Sequence, residues 1–221
     1  MKISVVIPCY NEASSIQNVL RSLPKRIDEV IVVDNDSNDA TASIAREEGA
    51  RVVVEKRRGY GAAIKRGFES ATGDIIVTVD GDGQHPAKEI EPMIALLEGQ
   101  QLDFVVGSRF PLAGANMGRI RVIGNGLFNV AIRFLFGIRL CDSQSGMWVF
   151  RRRVLERIML ESDGMAVSQE IKIKTALDPM LRLGEHHIVC AERIGASKLS
   201  PMRDGIKNLR SLFRLKRMLT G

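Results

Sequence analysis

The chain has 221 residues, 45% of them hydrophobic and 26% charged, which suits one sizeable folded domain and argues against long disorder. Its net charge is +6, but between positions 201 and 221 six basic residues face one acid, so +5 sits in the tail and the preceding 200 residues are nearly neutral. A general nucleic-acid binder spreads its charge over a broad face, so no nucleic-acid partner is expected.

Three cysteines, Cys9, Cys141 and Cys190, are far apart. They match neither a metal spacing nor a disulfide framework, and a reducing compartment is the simple reading. Residues 3–7 already read as a core strand, so no secretory leader is expected. The longest run without a charge, 122–132, is far short of the roughly 20 apolar residues that span a bilayer.

In chain order, β-branched runs at 3–7, 29–34, 51–55, 74–80 and 103–108 read as strands. Between them, 12–23, 39–48, 61–71 and 86–98 read as helices. Runs such as Val30-Ile31-Val32-Val33 are apolar at consecutive positions, as in strands covered on both faces of a parallel sheet. The alternation predicts an α/β, Rossmann-like, mostly parallel and doubly wound sheet, with ligands at the carboxyl ends of its strands. After residue 110 two more strands are expected, at 146–150 and 187–191, around a helix through 169–177. The expected division is one domain over 1–200, in halves 1–110 and 111–200, followed by a basic amphipathic helix over 201–221.

The segments that leave the strands carry the chemistry. Asp80-Gly81-Asp82-Gly83-Gln84-His85-Pro86 places two carboxylates, one residue apart, on a turn leaving a buried strand. They can converge on Mg2+ or Mn2+, which takes its other oxygens from phosphate and water. The alternative is a loop whose acids only cap the next helix. Asp34 ends a fully apolar strand at the same edge and reads either as a turn residue or as an acceptor for a nucleoside. Arg57-Arg58-Gly59-Tyr60-Gly61 lacks the Walker and dinucleotide patterns, and its glycines read as a tight turn. His85, His186 and His187 read as structural.

Taken in order, Val6-Ile7-Pro8-Cys9-Tyr10-Asn11-Glu12, Val32-Val33-Asp34-Asn35-Asp36-Ser37-Asn38-Asp39-Ala40-Thr41, Gly73-Asp74 with the Asp80 to Pro86 loop, Gly107-Ser108-Arg109-Phe110, Asp142-Ser143-Gln144-Ser145-Gly146 and Gly195-Ala196-Ser197-Lys198-Leu199 resemble family 2 of the GT-A glycosyltransferases. More narrowly they are similar to the dolichyl- or polyprenyl-phosphate sugar synthases, such as dolichol-phosphate mannosyltransferases. The resemblance implies a GT-A fold and a nucleotide-sugar donor, with a nucleoside held by Pro8, Tyr10, Glu12 and Asp34. It implies a metal held by Asp80, Asp82 and Gln84, an arginine near the acceptor phosphate (Arg109, with Arg119 or Arg121 as a second), an acid near the reaction centre (Asp142), and a basic closing element at Lys198. Asn35 stands where many relatives carry a second acid, which leans toward UDP over GDP. The implied reaction is inverting transfer to a polyprenyl phosphate, an acceptor that is already anionic and needs no strong general base.

The tail fits a lipid acceptor. On a helix from Arg203, the residues Arg203, Lys207, Arg210, Arg214 and Arg217 form a basic stripe beside Ile206, Leu209, Leu212 and Phe213, the pattern of peripheral contact with an anionic membrane at its cytoplasmic face. A second segment pairs a narrow polar stripe, Arg121, Asn125, Asn129 and Arg133, with an otherwise apolar surface. It reads as a membrane, core or dimer helix, so a homo-oligomer stays open. The main rival is a family 2 enzyme with a soluble, polysaccharide or glycoprotein acceptor. A sugar-nucleotide pyrophosphorylase would want a glycine-rich basic loop where Pro8 to Glu12 stand.

Overall fold

The computed structural model describes residues 1–110, 119–194 and 201–220. Seven strands, β1 (Ile3–Cys9), β2 (Glu29–Asp34), β3 (Arg51–Val54), β4 (Ile75–Thr78), β5 (Phe104–Ser108), β6 (Trp148–Arg151) and β7 (Leu183–His187), form one sheet. The order is β3-β2-β1-β4-β6-β5-β7. Every pairing is parallel except those of β6, which runs against both β4 and β5.

Both faces of the inner strands are covered, which is why β1, β4 and β5 are largely apolar and buried, whereas the edge strands β3 and β7 are partly exposed. In β1, Ile3, Val5, Ile7 and Cys9 pack toward α1 (Ile16–Ser22), α2 (Thr41–Glu47) and α4 (Ile90–Gly99), while Val6 packs toward α3 (Tyr60–Ser70), α6 (Arg153–Arg157) and α7 (Val167–Leu177). Side chains alternate across the pleat, so each strand feeds two cores. The expected α/β doubly wound class is the observed one.

Three local expectations change. Glu12 does not begin the first helix: its carbonyl accepts the N–H groups of both Ser15 and Ile16, closing a turn before α1 starts. Pro86 precedes a short 3-10 turn, Ala87–Glu89, that leads into α4. The last strand covers Leu183–His187 instead of 187–191. Beyond it the chain crosses the strand ends, with the N–H groups of Ala191 and Ile194 donating to the carbonyls of Gln84 and Asp82.

A third, smaller core joins α5 (Arg119–Phe136) to α8 (Pro201–Thr220). Leu212 and Leu215 of α8 are buried with Ile132, Leu140 and Ile173. The C-terminal basic helix is thus packed on the body of the protein. Among the described residues no helix is long and apolar enough to cross a membrane.

Leu212→Ala should therefore cost about 2–4 kcal/mol, the usual loss for a leucine truncated in a core. A urea-unfolding midpoint unchanged by the substitution would mean that α8 is only a solvated tail.

Candidate functional site

The parallel strands all present their carboxyl ends at one edge, and β6, entering from the opposite direction, brings Asp142 to Gly146 to the same edge. The loop after β4 is held from three sides. The Asp80 backbone N–H donates to His85 Nδ1 at 2.9 Å, so this ring nitrogen is the acceptor. Tyr60 Oη donates to Asp80 Oδ1 at 3.0 Å. Asp82 Oδ1 accepts the Gln84 N–H at 2.9 Å. Gly146 explains itself here: a Cβ on it would lie 2.6 Å from Tyr60 Oη and 3.2 Å from Asp80 Oδ1. Burial, and then the Asp80 charge, raise the Asp82 carboxyl above its ordinary range. Burial and Asp80 likewise push Tyr60 well above the normal phenol value.

Arg193 answers part of this negative charge. Its Nη1 lies 3.0 Å from Asp82 Oδ2 and its Nη2 lies 3.3 Å from Glu12 Oε1. The guanidinium Nε is buried and has no hydrogen-bond partner among the described residues. The donor set fits a hard divalent cation: two neighbouring carboxylates, one raised by burial and by the other's charge, are what such an ion relieves. Among the described residues no three His, Cys, Asp or Glu side chains gather into a metal cluster. Gln84 does not line the cavity that adjoins Asp80 and Asp82; its backbone ties the loop to Asp82 and Ala191.

That cavity has a volume of about 980 Å3. Pro8, Tyr10 and Glu12 line one end, with the Arg58 guanidinium 4.2 Å from the centre of the Tyr10 ring. Asp34 is buried beside this end but outside the lining, with Oδ1 accepting the Ser37 N–H at 3.1 Å. Asn35 does reach the lining, yet its amide is spent on backbone: Nδ2 donates to the carbonyls of Glu55 and Arg57, and Oδ1 accepts the Gly59 N–H. A carboxylate could not donate to those two carbonyls, so asparagine has a backbone-bonding role here.

Arg109 and Asp142 pair with each other. Arg109 donates through Nε at 2.6 Å, Nη2 at 2.9 Å and its backbone N–H at 3.1 Å. Asp142 Oδ1 also accepts from Asn125 Nδ2 and from the N–H groups of Gln144 and Ser145. Burial works to raise the Asp142 carboxyl, but Arg109, helped by Lys172, outweighs it and holds the group at about 2. The carboxylate has no solvent exposure, whereas the Arg109 side chain keeps 20%. Neither residue lines the large cavity.

Under this loop sits Lys172, fully buried, with Nζ donating to the carbonyls of Asp142, Ser143 and Ser145 and to Ser168 Oγ. Burial pulls it down to about 7, with the Asp142 charge opposing the fall. Three carbonyls and a hydroxyl around one nitrogen suit the ammonium, the form with three N–H donors.

α8 and the start of α7 also line the large cavity. Lys207, Asn208, Arg210, Ser211 and Arg214 line it, so much of the expected basic stripe faces the cavity. Gln169 lines it as well. Lys198 falls outside the described residues, as do the side chains of Arg119, Arg121 and Arg203. The sequence reading missed Tyr60, Lys172, Gln169 and Arg193. Only Lys172 left a signal, a charge between Ile171 and Ile173 in a helix buried on nearly all sides.

The family described as glycosyl transferase family 2 matches residues 4–159. A dolichyl-phosphate hexose transferase of Haloferax volcanii is 32% identical over 206 residues, covering 92% of this chain and 89% of the relative. A dolichol-phosphate mannosyltransferase of Pyrococcus furiosus is 33% identical, over 79% of this chain and 53% of its own length. Among solved structures, the glucosyl-3-phosphoglycerate synthase of Mycobacterium tuberculosis with Mn2+, UDP and phosphoglyceric acid superposes with a TM-score of 0.78 at 25% identity, over 97% of this chain and 78% of that one. The doubly wound sheet, the paired carboxylates beyond β4 and the matched span agree: the chain belongs to glycosyl transferase family 2.

Proposed function

We propose that this glycosyltransferase moves a sugar from a nucleotide-sugar, UDP-linked in preference to GDP-linked, onto a polyprenyl phosphate at the surface of an anionic membrane. The observation that carries the acceptor is the orientation of α5. Its two asparagines turn inward, Asn125 onto Asp142 and Asn129 onto the carbonyl of Cys141, and while Ile132 packs into the core a second apolar row faces out. Ile123, Leu127, Val130 and Phe134 are all exposed, Phe134 at 86%. Beside it, α8 exposes Ile206, Leu209 and Phe213. Two neighbouring amphipathic helices with outward apolar faces and basic flanks match the chemistry of a lipid surface. The Haloferax and Pyrococcus relatives, named for dolichyl-phosphate and dolichol-phosphate acceptors, support the same reading.

In this reading Pro8, Tyr10, Glu12 and Asp34 hold the nucleoside, and Asp80 and Asp82 hold Mg2+ or Mn2+, with Gln84 fixing the loop. The cation, when bound, neutralises the charge of the diphosphate leaving group. Arg193, with an uncommitted Nε, is placed to meet the same diphosphate. The acceptor phosphate oxygen attacks the anomeric carbon as the bond to the diphosphate breaks, inverting the centre. Arg109 receives the acceptor phosphate, and Asp142 acts through Arg109 as a positioning group. Asn35 no longer argues for UDP, since backbone bonding accounts for it; support for UDP comes from the solved neighbours that carry it.

A second reading has one specific support. The solved neighbour is named for a phosphoglycerate acceptor, so a small soluble phosphorylated acceptor is the competitor.

Two outcomes follow from the donor and acceptor assignments. Asp82→Ala should abolish Mn2+-dependent thermal stabilisation by UDP-sugars while the apo protein stays folded. Full transfer by this variant in excess chelator would contradict the metal assignment. Phe134→Glu should sharply reduce co-sedimentation with anionic vesicles at an unchanged melting temperature, because the side chain is already solvent-facing. Equal sedimentation of the variant and the parent would leave the apolar faces for a protein partner or a second copy.

A further inference from the structure

The most telling unexplained group in the molecule is Gln169, in the first turn of α7. Its side chain is buried to 1% exposure, and neither Nε2 nor Oε1 has a hydrogen-bond partner among the described residues. Leaving a buried donor or acceptor unbonded costs stability, so an amide orphaned at both atoms points to a ligand. Its neighbours on the helix are accounted for. Ser168 Oγ donates to the Ser145 carbonyl, and the Glu170 carboxylate accepts from the N–H groups of Glu161 and Ser162 and from Lys174.

Gln169 also lines the large cavity, in company with Tyr60, Asp80 and Asp82. Tyr60 fixes how that wall meets the acidic loop, since its hydroxyl binds Asp80 while flanking Gly59 and Gly61 sit against the backbone of Asp163 and Ser162. The cavity's charged groups already suit charged ligands: carboxylates for a cation, Arg193 for a diphosphate, and the α8 cations for a phosphate. A neutral carboxamide, with one donor and one acceptor side by side, complements a pair of neighbouring sugar hydroxyls, each of which donates and accepts. The transferred sugar is bonded directly to the diphosphate, so it lies close to the acidic loop that receives that group.

We infer that Gln169 binds hydroxyls of the donor sugar and helps to select which sugar is transferred; this rests on the nucleotide-sugar reading above. The residue touches the ring and not the leaving group, so its effect separates from nucleotide binding.

The test compares Gln169→Met with the parent, measuring affinities for UDP and GDP and for UDP-glucose, UDP-N-acetylglucosamine and GDP-mannose with Mn2+ present. For the sugar nucleotide that the parent binds best, the ratio of its Kd to that of its bare diphosphate should rise about tenfold in the variant. The Kd of the bare diphosphate should stay within about twofold. The apo melting temperature should hold or rise, because two unbonded buried polar atoms are removed. A ratio unchanged in the variant, or a melting temperature lowered by several degrees, overturns the inference and makes Gln169 a structural residue. As a second variant, Gln169→Glu keeps the size and an acceptor but loses the donor. It should reorder kcat/KM across the same donors, and an unchanged order would also count against the inference. A parent that binds none of the sugar nucleotides overturns the donor reading itself, an outcome distinct from a parent that binds them through a wall indifferent to residue 169.

Discussion

The ammonium of Lys172 inside a cage of three carbonyls is the interaction on which the site geometry depends. It gathers the backbone of Asp142, Ser143 and Ser145 around one point, beneath the turn that leads into β6. That turn places Asp142 against Arg109 and Gly146 against the Tyr60–Asp80 pair. A buried charge is tolerated only when it is fully hydrogen-bonded, and breaking one partner of such a set typically costs about 3–5 kcal/mol. Here that constraint links the two halves of the sheet edge, since the loop after β4 and the loop before β6 are held in register through it. The single antiparallel strand is thus a functional device: it carries a polar loop into an edge otherwise built from parallel strand ends.

Electrostatics at this edge are divided between two groups. Arg109 and Asp142 satisfy each other, with the carboxylate closed to solvent and the guanidinium partly open, so they keep a fixed geometry. Asp80, Asp82 and Glu12 carry an excess of negative charge that Arg193 answers only in part. The second group is therefore where a cation gains most, while the α8 wall offers cations to an anionic partner. Lys207, Arg210 and Arg214 line the cavity, while Ile206, Leu209 and Phe213 are exposed. One helix can in this way serve the cavity and a lipid surface together, and its packing through Leu212 and Leu215 ties those roles to the fold.

Much of this was legible in the sequence, for physical reasons. Strands buried on both faces show as unbroken apolar runs, so β1, β2, β4 and β5 could be placed, and the acids that follow them marked the ligand edge. The Asp80 to Pro86 loop announced itself because its residues are neighbours in sequence. What stayed hidden depends on contacts between distant segments. Tyr60 meets Asp80 across 20 positions, and Arg193 reaches Glu12 across 181. Asn35 looked like a departure with a bearing on the nucleobase until its bonds to Glu55, Arg57 and Gly59 showed a backbone reason. The polar positions of α5 were readable from spacing, but the inward turn of Asn125 and Asn129 was not: periodicity gives a face, and packing decides which of its residues turn in.

The central claim is transfer of a sugar to a phosphate carried on a lipid. The most direct measurement incubates the protein with Mn2+, a radiolabelled UDP-sugar and anionic vesicles containing a polyprenyl phosphate, alongside a parallel reaction with 3-phosphoglycerate as soluble acceptor. The account predicts label in the lipid fraction, released by mild acid as free sugar, and none when chelator replaces Mn2+. Label on phosphoglycerate alone, with none in the lipid fraction, would contradict it.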